Sequence, residues 1–316
     1  MPTAAPLLAA SAASLALAAA AGSAHAAPGV RVEDAAARLV VIPEARRDVS
    51  VTVRQGGSAL PPLRTRTEGD TIVVEGGLRD RIESCGAINM NIFGVVRHRA
   101  GEPNPGQRVM VRGVGLIPFE RLPVITARVP LDASVAAAGA VWGEVGSTER
   151  LRLAKSGCGD FTVGDVRGDF DLASTGSGDT GAGRMGRLRA SLRGSGDLKG
   201  GDVAGGADVS IVGSGDVRLG RTSALSVAVA GSGDVRVVEL DGPLNASVAG
   251  SGDVLVDGGR APAMSARVRG SGDVKFGGEA GSLSAQISGS GDIRVTRVSG
   301  PVAKSVHGSG DVYVGR

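Results

Sequence analysis

The chain has 316 residues, 52 of them glycine, with 2% aromatic residues and a formal net charge of +3. So few rings argue against a conventional globular core of this length and suit a narrow core of stacked aliphatic side chains. Basic and acidic side chains number 18 and 14 before residue 157 and 17 and 18 from there on. Neither half is therefore a basic nucleic-acid platform, and the stacking residues such a surface needs are nearly missing.

Residues 1–26 read as a secretory signal. An Ala- and Leu-rich run from Pro6 to Gly22 is followed by Ala24-His25-Ala26, a small-residue cleavage site. No Lys or Arg precedes the run. The alternative, a retained anchor, is marginal because 17 Ala-dominated residues barely span a bilayer. No Cys follows the site to carry a lipid, and no later segment of the mature chain is fit to span a membrane. The expected location is exported: periplasm, outer surface or medium. Export gives the two cysteines a meaning. A bridge between Cys85 and Cys158 would close a loop of 73 residues, adding about 4 kcal/mol in the chain-entropy view. Two unpaired thiols are the alternative.

Residues 27–137 are expected to form an irregular N-terminal β region continuous with the regular coils at 138–316. Short Val-, Ile- and Thr-rich runs at 38–42, 49–54, 71–75, 108–112 and 124–129 read as strands. Residues 101–106, Gly-Glu-Pro-Asn-Pro-Gly, read as a loop. The stretch 76–123 has no clear placement, and no long amphipathic helix is evident. Residues 138–156 look like a degenerate repeat. Trp142 is expected where Phe161 falls one period later, over the end of the core, and Leu151 and Leu153 where Phe170 and Leu172 fall.

From 138 to 316 the chain is organised by a repeat. Gly-Ser-Gly-Asp occurs eight times, and a ninth copy reads Gly157-Cys158-Gly159-Asp160. The aspartates are Asp160, Asp179, Asp197, Asp216, Asp234, Asp253, Asp273, Asp292 and Asp311, spaced 18 to 20 residues apart. A fixed period near 19 is a solenoid signature. Each period holds two runs of alternating apolar residues, such as Val235 and Val237, then Leu244, Ala246 and Val248. Alternation means strands with one buried face. The expected fold is all-β: a single-stranded parallel β-helix, or β-solenoid, with about 19 residues per coil. The handedness preference of β-crossovers favours a right-handed coil.

Strand parity turns both motif glycines inward, unless they adopt positive φ and form a corner, and turns Ser and Asp outward. Stacked coils then align the aspartates in a ladder about 5 Å in step, which repels itself. Cations, local donors or neighbouring bases would relieve it. The residue two beyond Asp is basic in five copies (Lys199, Arg218, Arg236, Lys275, Arg294), which favours the bases in part; nearby backbone N–H groups are the other expected donors to the carboxylate, as at turn aspartates. Calcium is a weaker reading, because here Gly directly precedes Asp and the period is twice that of the calcium nonapeptides. No other cofactor is implied. Carboxylates about 5 Å apart also suit a retaining glycosidase, so a carbohydrate-active β-helix enzyme is the alternative function. Nine near-equivalent copies do not supply the one differentiated pair that catalysis needs. His98, between Arg97 and Arg99, and His307 sit in no triad or metal spacing.

In the last coil Lys304 falls at an inward position where other coils carry Ala. A free strand edge there invites self-association.

The repeated Val-x-Gly-Ser-Gly-Asp-Val-x-Val pattern, together with Ala127-Arg128-Val129-Pro130-Leu131-Asp132 before it, resembles the head GIN domain family of auto-transporter adhesin heads. The resemblance spans roughly residues 35–316. It implies an exported bacterial β-solenoid without assigned activity, a non-catalytic binding or structural surface module. Surface glycans or envelope proteins are the expected partners.

Overall fold

The computed structural model describes residues 27–57, 59–87 and 107–315. Residues 1–26, read above as a signal, His98 and residues 101–106, read above as a loop, lie outside them. The described chain is a β-solenoid whose coils advance about 19 residues at a time. The alternating pattern dictates this. Leu225, Val227 and Val229 stand in register with Leu244, Ala246 and Val248, then with Met264, Ala266 and Val268. All nine side chains are at most 3% exposed, and burying each of the Leu, Val and Met side chains among them contributes roughly 1.5–3 kcal/mol.

Three parallel stacks enclose the core. One carries the strands just described. A second aligns Val217, Val235, Val254, Val274, Ile293 and Val312. A third stack aligns Thr148, Val166, Met185, Val203, Thr222 and Leu240 and continues to Val298. A single apolar cluster runs between them from Val30 to Val312.

The N-terminal region joins this core as regular rungs. Strand β1 (Gly29–Glu44) is followed by β2 (Ser50–Arg54), β3 (Arg64–Glu68) and β4 (Thr71–Glu75). After an insertion come β5 (Ile82–Ala87), β6 (Gln107–Val111) and β7 (Gly115–Pro118), then β8 (Val124–Pro130), β9 (Asp132–Val145) and β10 (Arg150–Gly157). On one side β1 pairs in parallel with β4 and β8, and on the other with β9. The chain thus enters one coil inside the end and builds the outer coil afterwards. There β2 and β3 pair antiparallel with β8 and β4, and Val49, Val51 and Val53 pack against the core. Reversing direction ends the parallel stack, and the exposed polar residues of β3 blunt its free edge.

The insertion between β4 and β8 forms a separate lobe. Strands β5, β6 and β7 make a three-stranded antiparallel sheet. Leu78, Val109, Val111, Ile117, Phe119 and Leu122 pack with Ala36, Ala140 and Trp142. The lobe therefore lies on the outer surface of the first coils.

This corrects the place expected for Trp142. Phe161 pairs with Gly143 rather than Trp142, which puts the indole one residue away, in the register of Asp160. It points out of the solenoid and is covered by the lobe, edge-to-face with Phe119 at 5.6 Å between ring centres. Leu151 and Leu153 do stand opposite Phe170 and Leu172.

The opposite end is open among the described residues. Strand Val302–Gly308 pairs only with Leu283–Gly289 and is exposed along its length. Lys304 takes the register of Ala285.

Candidate functional site

The repeated corner begins with a glycine at positive φ. Across the nine copies φ lies between 112° and 146°, where side-chain-bearing residues are strained. A Cβ on Gly250 would also lie 2.2 Å from the carbonyl oxygen of Gly231, one coil earlier. The second glycine is the buried one, and at Gly252 a Cβ would lie 2.1 Å from the oxygen of Gly233. The two glycines thus differ in role. The first makes the corner, and the second lets coils stack without a side chain between them.

The corner leaves the Asp backbone N–H without its usual ladder partner, and the Asp below supplies one. Asp179 N–H donates to Asp160 Oδ1 at 2.9 Å, and the same bond recurs up the stack to Asp311 N–H on Asp292 Oδ1, always at 2.8–3.0 Å. The next residue returns the pairing, as when Val235 N–H donates to the Asp253 carbonyl at 2.8 Å. Asp311 has no coil above it among the described residues, and its Oδ1 accepts from Val312 N–H instead. Of the two expected sources of relief, bases and backbone N–H groups, the backbone donors carry the ladder along its length.

The bases add to this unevenly. Arg218 pairs with Asp216 at 2.9 Å, Lys275 with Asp273 at 3.1 Å, and Arg294 reaches both Asp273 and Asp292. Arg236 turns away to Asp257 at 3.0 Å. The carboxylates respond to their surroundings. Burial, together with neighbouring Asp179 and Asp216, raises the Asp197 pKa despite the Asp216 N–H and Arg218. At Asp273 burial opposes ionisation, but the Asp292 N–H, Lys275 and Arg294 outweigh it and lower the pKa.

The first corner is differentiated from the rest. Cys158 stands at the Ser position and is bonded to Cys85 of β5, with 5.9 Å between Cα atoms. Gln107 Nε2 donates to Asp160 Oδ2 at 3.0 Å. Beneath the corner lies Lys155, in register with Ser174, Leu192, Ile211 and Val229 along an otherwise mostly apolar inward row. It is 6% exposed. Its Nζ donates to the carbonyls of Gly178, of Asp179 at 2.8 Å and of Gly159 at 3.4 Å. Burial pushes its pKa down to about 8, against the pull of Asp160 and Asp179. The sequence reading overlooked this lysine, although the alternation Leu151, Leu153, Lys155 points it inward. His307 is exposed on the outer surface, apart from the Asp row. Among the described residues no three His, Cys, Asp or Glu side chains converge as metal ligands, and no helix is long and apolar enough to cross a membrane.

Residues 124–239 and 241–315 match the family model described as putative auto-transporter adhesin, head GIN domain. The chain belongs to the head GIN domain family. A crystal structure described as a putative adhesin from Bacteroides fragilis is similar to it at 14% identity, covering 90% of this chain and 91% of its own, with a TM-score of 0.29. No curated protein matches the chain. The head GIN match includes all nine Asp corners and Lys155, while β1 to β7 and the lobe lie outside it.

Proposed function

We propose that the protein is a non-catalytic, exported surface module that binds through the flat outer faces of its coils. One observation carries this reading. The aspartates, the most repeated ionisable groups, are engaged one by one by backbone N–H groups of the next coil. They act as parts of the scaffold and present no pair set apart for acid and base roles. The family's description as an adhesin head agrees with such a role. Surface glycans or envelope proteins are the partners that flat, polar, regularly spaced faces suit. The exposed strand Val302–Gly308 adds a route to self-association.

A glycan array and a pull-down from envelope fractions test the binding reading, and cell fractionation tests export. Retention of a glycan or envelope component supports it. Failure to retain any partner at high protein concentration, or recovery of the native protein from the cytoplasm alone, would count against it.

A further inference from the structure

The outer face of the first stack changes character along the solenoid. Outward positions lie about 6.6 Å apart along a strand and about 4.8 Å apart between coils. Near the N-terminal end the row through Arg152 neutralises itself, while Arg193 stands in the row that later reaches Arg269. Arg152 approaches Asp171 at 3.7 Å, Asp171 pairs with Arg189 at 3.3 Å, and Asp208 follows in register. Four coils on, the same face holds two short rows without a carboxylate. Arg267, Gln286 and Ser305 form one, and Arg269, Ser288 and His307 the other. The flanking row is Ser265, Ser284 and Ala303, also uncharged.

These six side chains are exposed and line a depression of about 380 Å³. Arg267 Nε donates to Gln286 Oε1 at 3.1 Å, which steadies that guanidinium. Arg269 has no hydrogen bond or ion pair among the described residues. Two guanidinium groups with amide, hydroxyl and imidazole donors around them form a surface that recognises oxyanions, since a guanidinium meets a carboxylate or sulfate in fixed two-point geometry.

We infer that this patch binds an anionic polysaccharide through its sulfate or carboxylate groups. The inference rests on the surface-binding reading above and gives it a ligand class. The depression spans three successive coils, so a polymer lying across the coils would meet successive rungs with successive acidic groups. A membrane is the poorer fit, because the outward residues here are polar and none is an apolar wedge for a bilayer. Nucleic acid is poorer still, because no aromatic ring lies in the patch for bases to stack on.

The test is calorimetric titration of the purified protein with heparin, polygalacturonate, neutral dextran and vesicles containing anionic lipid. Heparin or polygalacturonate is expected to bind and dextran not. The pair Arg267→Gln with Arg269→Gln should weaken binding by about tenfold or more. The control pair Arg152→Gln with Arg189→Gln removes the same charge from the same face and should cost less than about threefold. Unchanged melting curves establish that both variants fold. Equal losses in the two pairs would assign binding to net charge and overturn the inference, as would vesicle binding without polysaccharide binding. Failure of both anionic polymers also overturns it. In that case binding of neutral glycans on the array leaves the broader surface-module reading standing, and loss of both ends that reading too.

Discussion

Trp142 and Asp160 occupy the same register position in neighbouring coils, and the molecule treats them in opposite ways. At Trp142 the outer face is apolar and lies under the β5–β7 lobe, which buries it against Phe119. From Asp179 onward the corners stand clear of the lobe, and from Asp160 to Asp292 each corner is completed by a carboxylate accepting the backbone N–H of the next coil. Covering the flank of the first coils thus uses a lobe and a disulfide, whereas propagating the stack uses a side chain that mimics a missing backbone acceptor. The covered flank is built once from dissimilar parts. The ladder repeats because each coil presents the same unfilled N–H to the next.

The largest expected effect separates the two strategies at the backbone. Gly250→Ala adds left-handed strain and a clash with the Gly231 carbonyl, and it should cost about 4 kcal/mol in urea unfolding. Ser251→Ala beside it should be close to neutral. Equal effects would mean that the corner does not depend on glycine geometry.

The covered flank should respond next. Replacing Cys85 and Cys158 together by Ser removes the tie across 73 residues and should lower stability by about 3 kcal/mol. Because Trp142 lies under the lobe, its emission should shift on heating before the far-ultraviolet β signal is lost. Simultaneous loss of both signals would show that the lobe and the coils unfold as one unit.

Lys155 offers a pH-dependent comparison. Its folded pKa, about 8, lies below its ordinary value of 10.5, so between these values the unfolded chain holds more protons than the folded one. Stability should therefore rise with pH from about 8 to 10.5 and stay flat, with respect to this group, below 8. The total gain is on the order of 3 kcal/mol. Unfolding titrations of the wild type and Lys155→Met isolate the slope, which the variant should lose. Parallel pH profiles would place the lysine in water.

Much of the coil region was legible in residues 157–316 because each part of the pattern has one physical meaning. Alternation sets the buried row, the period sets the stacking, and Lys304 falls in the register of Ala285 as parity requires. The strands at 71–75 and 124–129 were equally plain. What stayed hidden depends on packing partners distant in sequence. Strand β3, Arg64 to Glu68, is polar and exposed throughout, so no hydrophobic period marks it. It exists because β4 offers it an edge. Trp142 was misplaced by one residue because its apolar character suggested an inward position, and only the lobe explains an outward tryptophan. At the corners, the sequence shows the aspartates, their repulsion and two sources of relief, the bases two residues on and nearby backbone N–H groups. The donor that matters is a backbone N–H one coil away, which no side-chain pattern reports.

As hydrogen-bonded scaffold, the Asp ladder needs an acceptor at Oδ1 rather than a charge or a bound ion. Asp234 is the position to test, since its Oδ1 accepts the Asp253 N–H at 2.8 Å and its own N–H is held by Asp216. Urea unfolding of Asp234→Asn and Asp234→Ala, each with and without chelator, measures it directly. The expected result is a loss of about 2 kcal/mol for Ala, less than about 0.5 kcal/mol for Asn, and no effect of the chelator. Asn as damaging as Ala, or a chelator that lowers wild-type stability, would contradict the account.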